Sequence, residues 1–230
     1  MVHMFKLNSR TIAFLAIISI IIVVLAFVIF THAGSQANLL AVPGVHKGDY
    51  VIYDIKGFSD STDPAIVSES FYQYNMTESY KITVTDVTNA SISLSTTWRF
   101  TNGTEFQGSS TVDVESGMVF PSGGFWAIYA GNLDAGDPVR PTGPDRSTVN
   151  QTSTRQYASG SRDTNRISMD IEYYDSNDPT GSTTWTEYMN IHFDRATGFL
   201  VEFRDTNVFS NPQITLTTLW TIRETNVWTV

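Results

Sequence analysis

The chain has 230 residues and no cysteine, which excludes disulfides, thiolate metal sites and cysteine nucleophiles. Its 23 Asp and Glu outnumber 14 Lys and Arg, for a formal charge of −9. Such a surface repels phosphate backbones and excludes nucleic acid as a partner.

Residues 1–11 are a short flank whose only charged side chains at neutral pH are Lys6 and Arg10. Ile12 to Phe30 follows as nineteen consecutive residues with Ser19 the only polar one. At helical rise it reaches roughly 28 Å, the thickness of a bilayer's hydrocarbon core. With the basic flank before it and every acidic residue after it, the run reads as a single-pass signal-anchor, N-terminus cytoplasmic and the rest extracellular. A cleaved secretory signal is the alternative, with small residues at Ala33 and Ala37 for a peptidase, although the apolar run exceeds the usual ~7–15 residues. Beyond it, 12 basic residues face 23 acidic ones, a formal charge of −11.

Residues 31–48 read as a juxtamembrane linker broken by Pro43-Gly44, with Asn38 to Val42 able to pack as a short arm. From residue 49 to 230 the period changes to two, the mark of half-buried strands. Strands are expected over Tyr50–Lys56, Ser68–Tyr74, Ser79–Val87 and Ala90–Phe100. Asn102-Gly103 predicts a type I′ turn returning into Thr104–Val114. Residues 115–146 are least regular; Phe125 to Leu133 reads equally as short helix or buried strand. Alternation resumes at Ile167–Tyr173, at Trp185–Phe193 (interrupted by Glu187), at Phe199–Phe203 after the turn Asp194–Gly198, and at Ile214–Ile222. The prediction is a mainly β protein: the transmembrane helix, then one antiparallel domain of about ten strands. With almost no helix to cover its apolar face, that sheet should be a half-barrel or barrel, or else a sandwich.

Catalytic signatures are absent from the sequence: no GxSxG, HExxH, Walker loop or GxGxxG occurs. His192 is the one strand histidine and reads as a solvated side chain. Asp175–Gly181 offers side-chain oxygens but lacks an EF-hand's spacing, and Asp134–Asp137 is similar; both read as turns. Asp113 and Glu115 read as solvated charge. No enzyme, cofactor or metal is expected. Four Asn-x-Ser/Thr sequons, at Asn75, Asn89, Asn102 and Asn150, are glycosylation candidates in an outward-facing domain. Trp98, Phe100, Trp185, Phe193, Phe199, Phe203 and Trp220 are expected on the inward face, where bulky rings either fill a curved sheet or line a cleft for an apolar ligand.

The phrases GDYVIYDI (48–55), NLDAGDPV (132–139), TRQYASGSRDTNR (154–166), FDRATGFLVEF (193–203) and ETNVW (224–228) resemble a loose group of uncharacterised archaeal membrane-anchored, β-rich surface proteins. That resemblance implies no established activity and no site residues. The DRATGFLVEF hairpin and the strand order are also similar to bacterial lipoprotein-carrier half-barrels, which hold acyl chains, but no lipobox cysteine is present.

The leading expectation is therefore a non-enzymatic cell-surface protein contacting a surface layer, its own copies or other proteins. A lipid-like-ligand module using the aromatic face is the alternative. A strand-exchanging filament subunit is a further one, although the basic-then-Gly prepilin signature is missing at Arg10-Thr11-Ile12. An accessory subunit of a membrane complex is a fourth, although the apolar run lacks GxxxG, and an enzyme comes last.

Overall fold

The computed structural model describes residues 41–61, 67, 69–121, 127–144, 146–174 and 183–230. Among these no helix is long and apolar enough to cross a membrane; the run at 12–30 lies outside them, as does the expected turn at 175–182.

Ten strands form one antiparallel sheet: β1 Tyr50–Ser59, β2 Thr77–Thr88, β3 Ser91–Phe100, β4 Glu105–Asp113, β5 Val119–Phe120, β6 Gln151–Tyr157, β7 Gly160–Tyr174, β8 Thr183–Asp194, β9 Leu200–Ser210 and β10 Gln213–Thr225. Their order is β5-β4-β3-β2-β1-β10-β9-β8-β7-β6. Each wing is a meander of consecutive strands, and β1 joins the wings by pairing with β10. The sheet is not closed, since β5 and β6 are its edges. The expected strand number and one-sided burial hold, and the sandwich is replaced by one sheet.

Register sorts the inner face into rows across strands β7, β8, β9 and β10. Ile167, Ile191, Phe203 and Trp220 make one row, continued by Ile55 of β1. Met169, Met189, Asp205 and Thr218 make the next, ending on Gly57. Ile171, Glu187, Asn207 and Leu216 follow, then Tyr173, Trp185, Phe209 and Ile214. The first row lies toward the end where β1 starts, here called the base, and the last toward the opposite end, the rim. Thr and Ser dominate the outer face and bond across strands, as in Thr206–Thr217 at 3.1 Å.

The base is filled. Ala127–Ala130, Leu133, Val139 and Val149 come from the irregular middle segment and join Val51, Tyr53, Phe193, Phe199 and Leu200 in one core. Tyr129 stacks on Phe193 at 4.5 Å, and Tyr53 donates its hydroxyl to the Leu200 carbonyl at 3.0 Å. Asn165, fully buried, fastens this segment: its Nδ2 donates to the Leu133 carbonyl at 2.8 Å. Phe125 to Leu133 is neither helix nor strand where described; Ile128 and Ala130 make only isolated bridges, to Phe199 and Pro43. Its residues are bought into place by packing rather than by a ladder, so periodicity had nothing to register.

Three other expectations are corrected. Part of 41–48, assigned to the linker, packs on the sheet domain: Ala41 and Val45 are buried in its core and the Gly131 N–H donates to the Val42 carbonyl. Of the strand expected at Ser68–Tyr74, the described residues from Glu69 on are not extended. Glu69–Tyr72 is one helical turn (α1), followed by a 3-10 turn at Gln73–Met76. Phe71 and Tyr74, three apart, thereby fall on one side, and Phe71 lies over Gly57, where no Cβ intervenes. The turn after β3 is not type I′. Of its residues Gly103 alone has positive φ, at 84°, and its N–H returns to the Phe100 carbonyl at 2.8 Å, which is a type I turn with a left-handed glycine. Strand β6 and the start of β7 went unpredicted because residues 151–166 are nearly all polar.

Candidate functional site

The rim half of the inner face has a small apolar cluster of its own: among the described residues Val67, Phe71 and Ile214 are buried, with Tyr74, Phe209 and Leu216 half-buried against them. A cavity of about 290 Å³ lies between β9, β10 and the turn carrying Phe71, lined by Phe71, Tyr74, Asp205, Asn207, Phe209 and Thr218, with Leu216 below Phe209. Phe209 stacks on Trp185 at 5.5 Å, and Trp185 stacks on Tyr173 at 3.7 Å with the rings nearly parallel. Strand pairing puts all three at one level of adjacent strands, so the stack follows from register.

The neighbouring rows interrupt the apolar pattern with Glu187, Asp205 and Asn207. Asn207 Nδ2 donates to Asp205 Oδ1 at 3.0 Å, and the Tyr173 hydroxyl donates to Glu187 Oε2 at 2.7 Å. Burial pushes the Asp205 carboxyl up to about 6; the Asn207 hydrogen bond opposes this, and the Glu187 charge adds to it. The Glu187 bond likewise pushes the Tyr173 phenol up. Neither carboxylate forms a salt bridge with a cation among the described residues.

The seven aromatics expected to form one face are divided by the structure. Phe193 and Phe199 are 0 % exposed, sealed in the base. Phe100, Trp98 and Trp220 belong to a run of rings in which Tyr80 bridges Trp98 and Trp220 at 5.7 and 5.0 Å. Phe203 is half-buried opposite Trp220. Trp185 alone joins the rim stack beside the cavity. Sequence reading marked Glu187 as an interruption but missed Asp205 and Asn207, although a polar D-T-N run inside a strand signals them.

The four sequon asparagines differ in freedom. Asn75 bonds both the N–H and the carbonyl of Gly57, each at 2.9 Å, and so clips the 3-10 turn to β1. Asn102 and Asn150 accept backbone N–H groups of Thr104 and Ser168. Asn89, exposed at the β2–β3 turn with φ 54°, makes no such bond.

The remaining polar clusters are structural. Asp194, nearly fully buried, takes a two-pronged bond from Arg162 at 2.7 and 2.9 Å and caps its own turn by accepting from Thr197. Asp113 caps the turn after β4; burial would raise its carboxyl, but bonds from Ser116, Glu115 and Ser91 outweigh that and hold it low. Asp134 and Asp137 close a turn on each other, as expected. His192 is half-buried on the outer face between Arg166 and Glu202, and burial, reinforced by Arg155, lowers its imidazole. Five buried polar atoms, of Tyr157, Thr164, Arg166, His192 and Trp228, have no hydrogen-bond partner among the described residues, and of these Tyr157 alone lines a second cavity of about 420 Å³. No group of three or more His, Asp or Glu suited to a metal occurs among the described residues.

No protein-family model matches the chain, and no curated protein matches it either.

Proposed function

We propose that this chain is a membrane-anchored recognition protein: a half-barrel held outside the cytoplasm by residues 12–30, binding a partner or ligand rather than transforming it. The observation that carries the reading is the cleft on the inner face at the rim, lined by Phe71, Tyr74, Phe209 and Asp205 beside a small apolar cluster, where the base is packed shut. A fully stable sheet has no need of such a cleft, since deeper packing would stabilise it further. The acidic balance and the free sequon at Asn89 suit a solvated outer surface. His192 lies on the opposite face from the cleft, which favours binding over acid–base catalysis. The test is native mass spectrometry of the chain extracted from its own membranes. Wild type should retain residues 12–30 and carry a bound ligand or partner, and Leu216→Trp, which fills the cleft, should lose it. A chain beginning near Gly34 or Asn38 would remove the anchor, and a ligand surviving Leu216→Trp would move recognition elsewhere.

One observation favours strand addition as a second reading. Residues 101–109 are all exposed, Phe106 at 62 %, and β5 pairs only with Thr111 and Val112. The Phe100 N–H bond to Thr104 and the Val114 N–H bond to Ala90 set the alternation, so Gln107 directs its N–H outward. Gln107→Pro would block an added strand without costing a bond to β3. A chain that stays monomeric at high concentration would sink this reading.

A further inference from the structure

Glu187 and Asp205 stand on the face that buries the rest of the domain's apolar side chains. Glu187 lies opposite Asn207 and Asp205 opposite Met189, so the two carboxylates are diagonal neighbours on adjacent strands. Their hydrogen-bond donors, Asn207 and Tyr173, are neutral and cancel no charge. Asp205 faces Thr218 from β10 and lines the cavity with Leu216, Phe71 and Tyr74, while Glu187 faces Ile171 from β7 one strand away from that lining. Two like charges on half-buried apolar surface are an unfavourable arrangement that a bound cation would offset. The cleft walls carry the same sign, because aromatic ring faces are the negative end of a quadrupole.

We propose that the rim cleft binds an organic cation, an ammonium or guanidinium group on an apolar stem, its head at Asp205 with the Glu187 charge diagonal to it on the next strand, and its stem against Phe71, Tyr74 and Phe209. The inference deepens the recognition reading and rests on it. A bare metal ion fits less well, because two carboxylates and one amide leave a calcium-sized ion short of its six to eight oxygens and the ring walls supply none. An organic cation uses walls and floor together.

The experiment titrates the full chain, in maltoside micelles, with benzylammonium, benzyl alcohol and benzoate. Indole signals are followed by NMR, with Trp185 assigned through Trp185→Phe. At pH 7.5 benzylammonium should shift Trp185 with at least tenfold tighter affinity than benzyl alcohol, and benzoate should not bind. Asp205→Asn, and the pair Asp205→Asn with Glu187→Gln, should abolish that preference while the other indole signals hold their folded positions. Nα-acetyl-lysine amide against choline then separates the sources: a protein's lysine side chain or a free quaternary amine. Equal binding of ammonium and alcohol overturns the inference and leaves the cleft a binding site. A preference that survives Asp205→Asn alone and the double substitution also overturns it. No binding of any probe overturns both readings.

Discussion

The base and the rim of the inner face are built from the same strands, yet one is closed and the other open. At the base, β8 and β9 present Phe193, Phe199 and Leu200 to a covering segment that brings Ala127, Ile128 and Tyr129. At the rim the same strands present Trp185, Glu187, Asp205 and Phe209, and one short turn with Phe71 and Tyr74 reaches over only part of them. The difference lies in what covers the strands rather than in the strands themselves. A carboxylate in the base would be sealed without water, whereas at the rim it keeps partial solvation. Carboxylates without a cationic partner therefore sit where burial is incomplete, whereas the buried Asp194 is paired with Arg162.

That contrast can be broken by substitution. Phe193→Ala should cost about 3–5 kcal/mol, because the cavity left under Tyr129 cannot collapse, and Phe209→Ala at the rim should cost well under half of that. Urea unfolding followed by tryptophan fluorescence compares them; equal losses would mean the rim is packed as tightly as the base. Arg162→Ala should come next, at about 3 kcal/mol, since it leaves the buried Asp194 carboxylate unpaired.

Asp205 sharpens the contrast through pH. Its folded-state carboxyl is pushed up to about 6, above the ~3.9 of an unfolded chain. Between those values the unfolded chain releases its proton first, so stability is full below pH 4 and falls as pH rises through 6. Asp205→Asn should therefore stabilise the protein at pH 7.5, by about 1 kcal/mol after allowance for solvent screening, and change nothing at pH 4. Destabilisation at pH 7.5 would mean a fixed cation already pairs with the carboxylate. The smallest effect concerns the surface. Asn89→Gln should leave stability unchanged and remove one glycan's mass from the native protein, while Asn75→Gln should remove none and weaken the clip on Gly57 by about 1 kcal/mol. Mass spectrometry of tryptic peptides decides which asparagine is modified.

Much of this was legible in the residues. Alternation at Ala90–Phe100 and Ile214–Ile222 assigns Leu94, Trp98, Trp220 and Ile222 to the inner face, because side-chain direction in a strand has a fixed period of two. The Asp194–Gly198 turn was equally clear, since Gly198 at φ 78° leaves no room for a Cβ beside the Tyr129 carbonyl. Phe71 and Tyr74 were misread because one helical turn is too short to display its own period. Strand β6 was missed because an edge strand with Thr, Ser and Arg has no apolar side to announce it.

Local composition and period were enough for the apolar run, the acidic balance and most strands with the face each buries, but not for β6 or the helical turn at Glu69–Tyr72. Which rings are sealed and which border the cleft follows from long-range packing alone. Asp205, Glu187 and Trp185 are separated along the chain and meet through the register of β8 against β9. The segment at Ala127–Val149 closes one end of the face and not the other. Register and coverage are long-range quantities, and no local window of residues contains them.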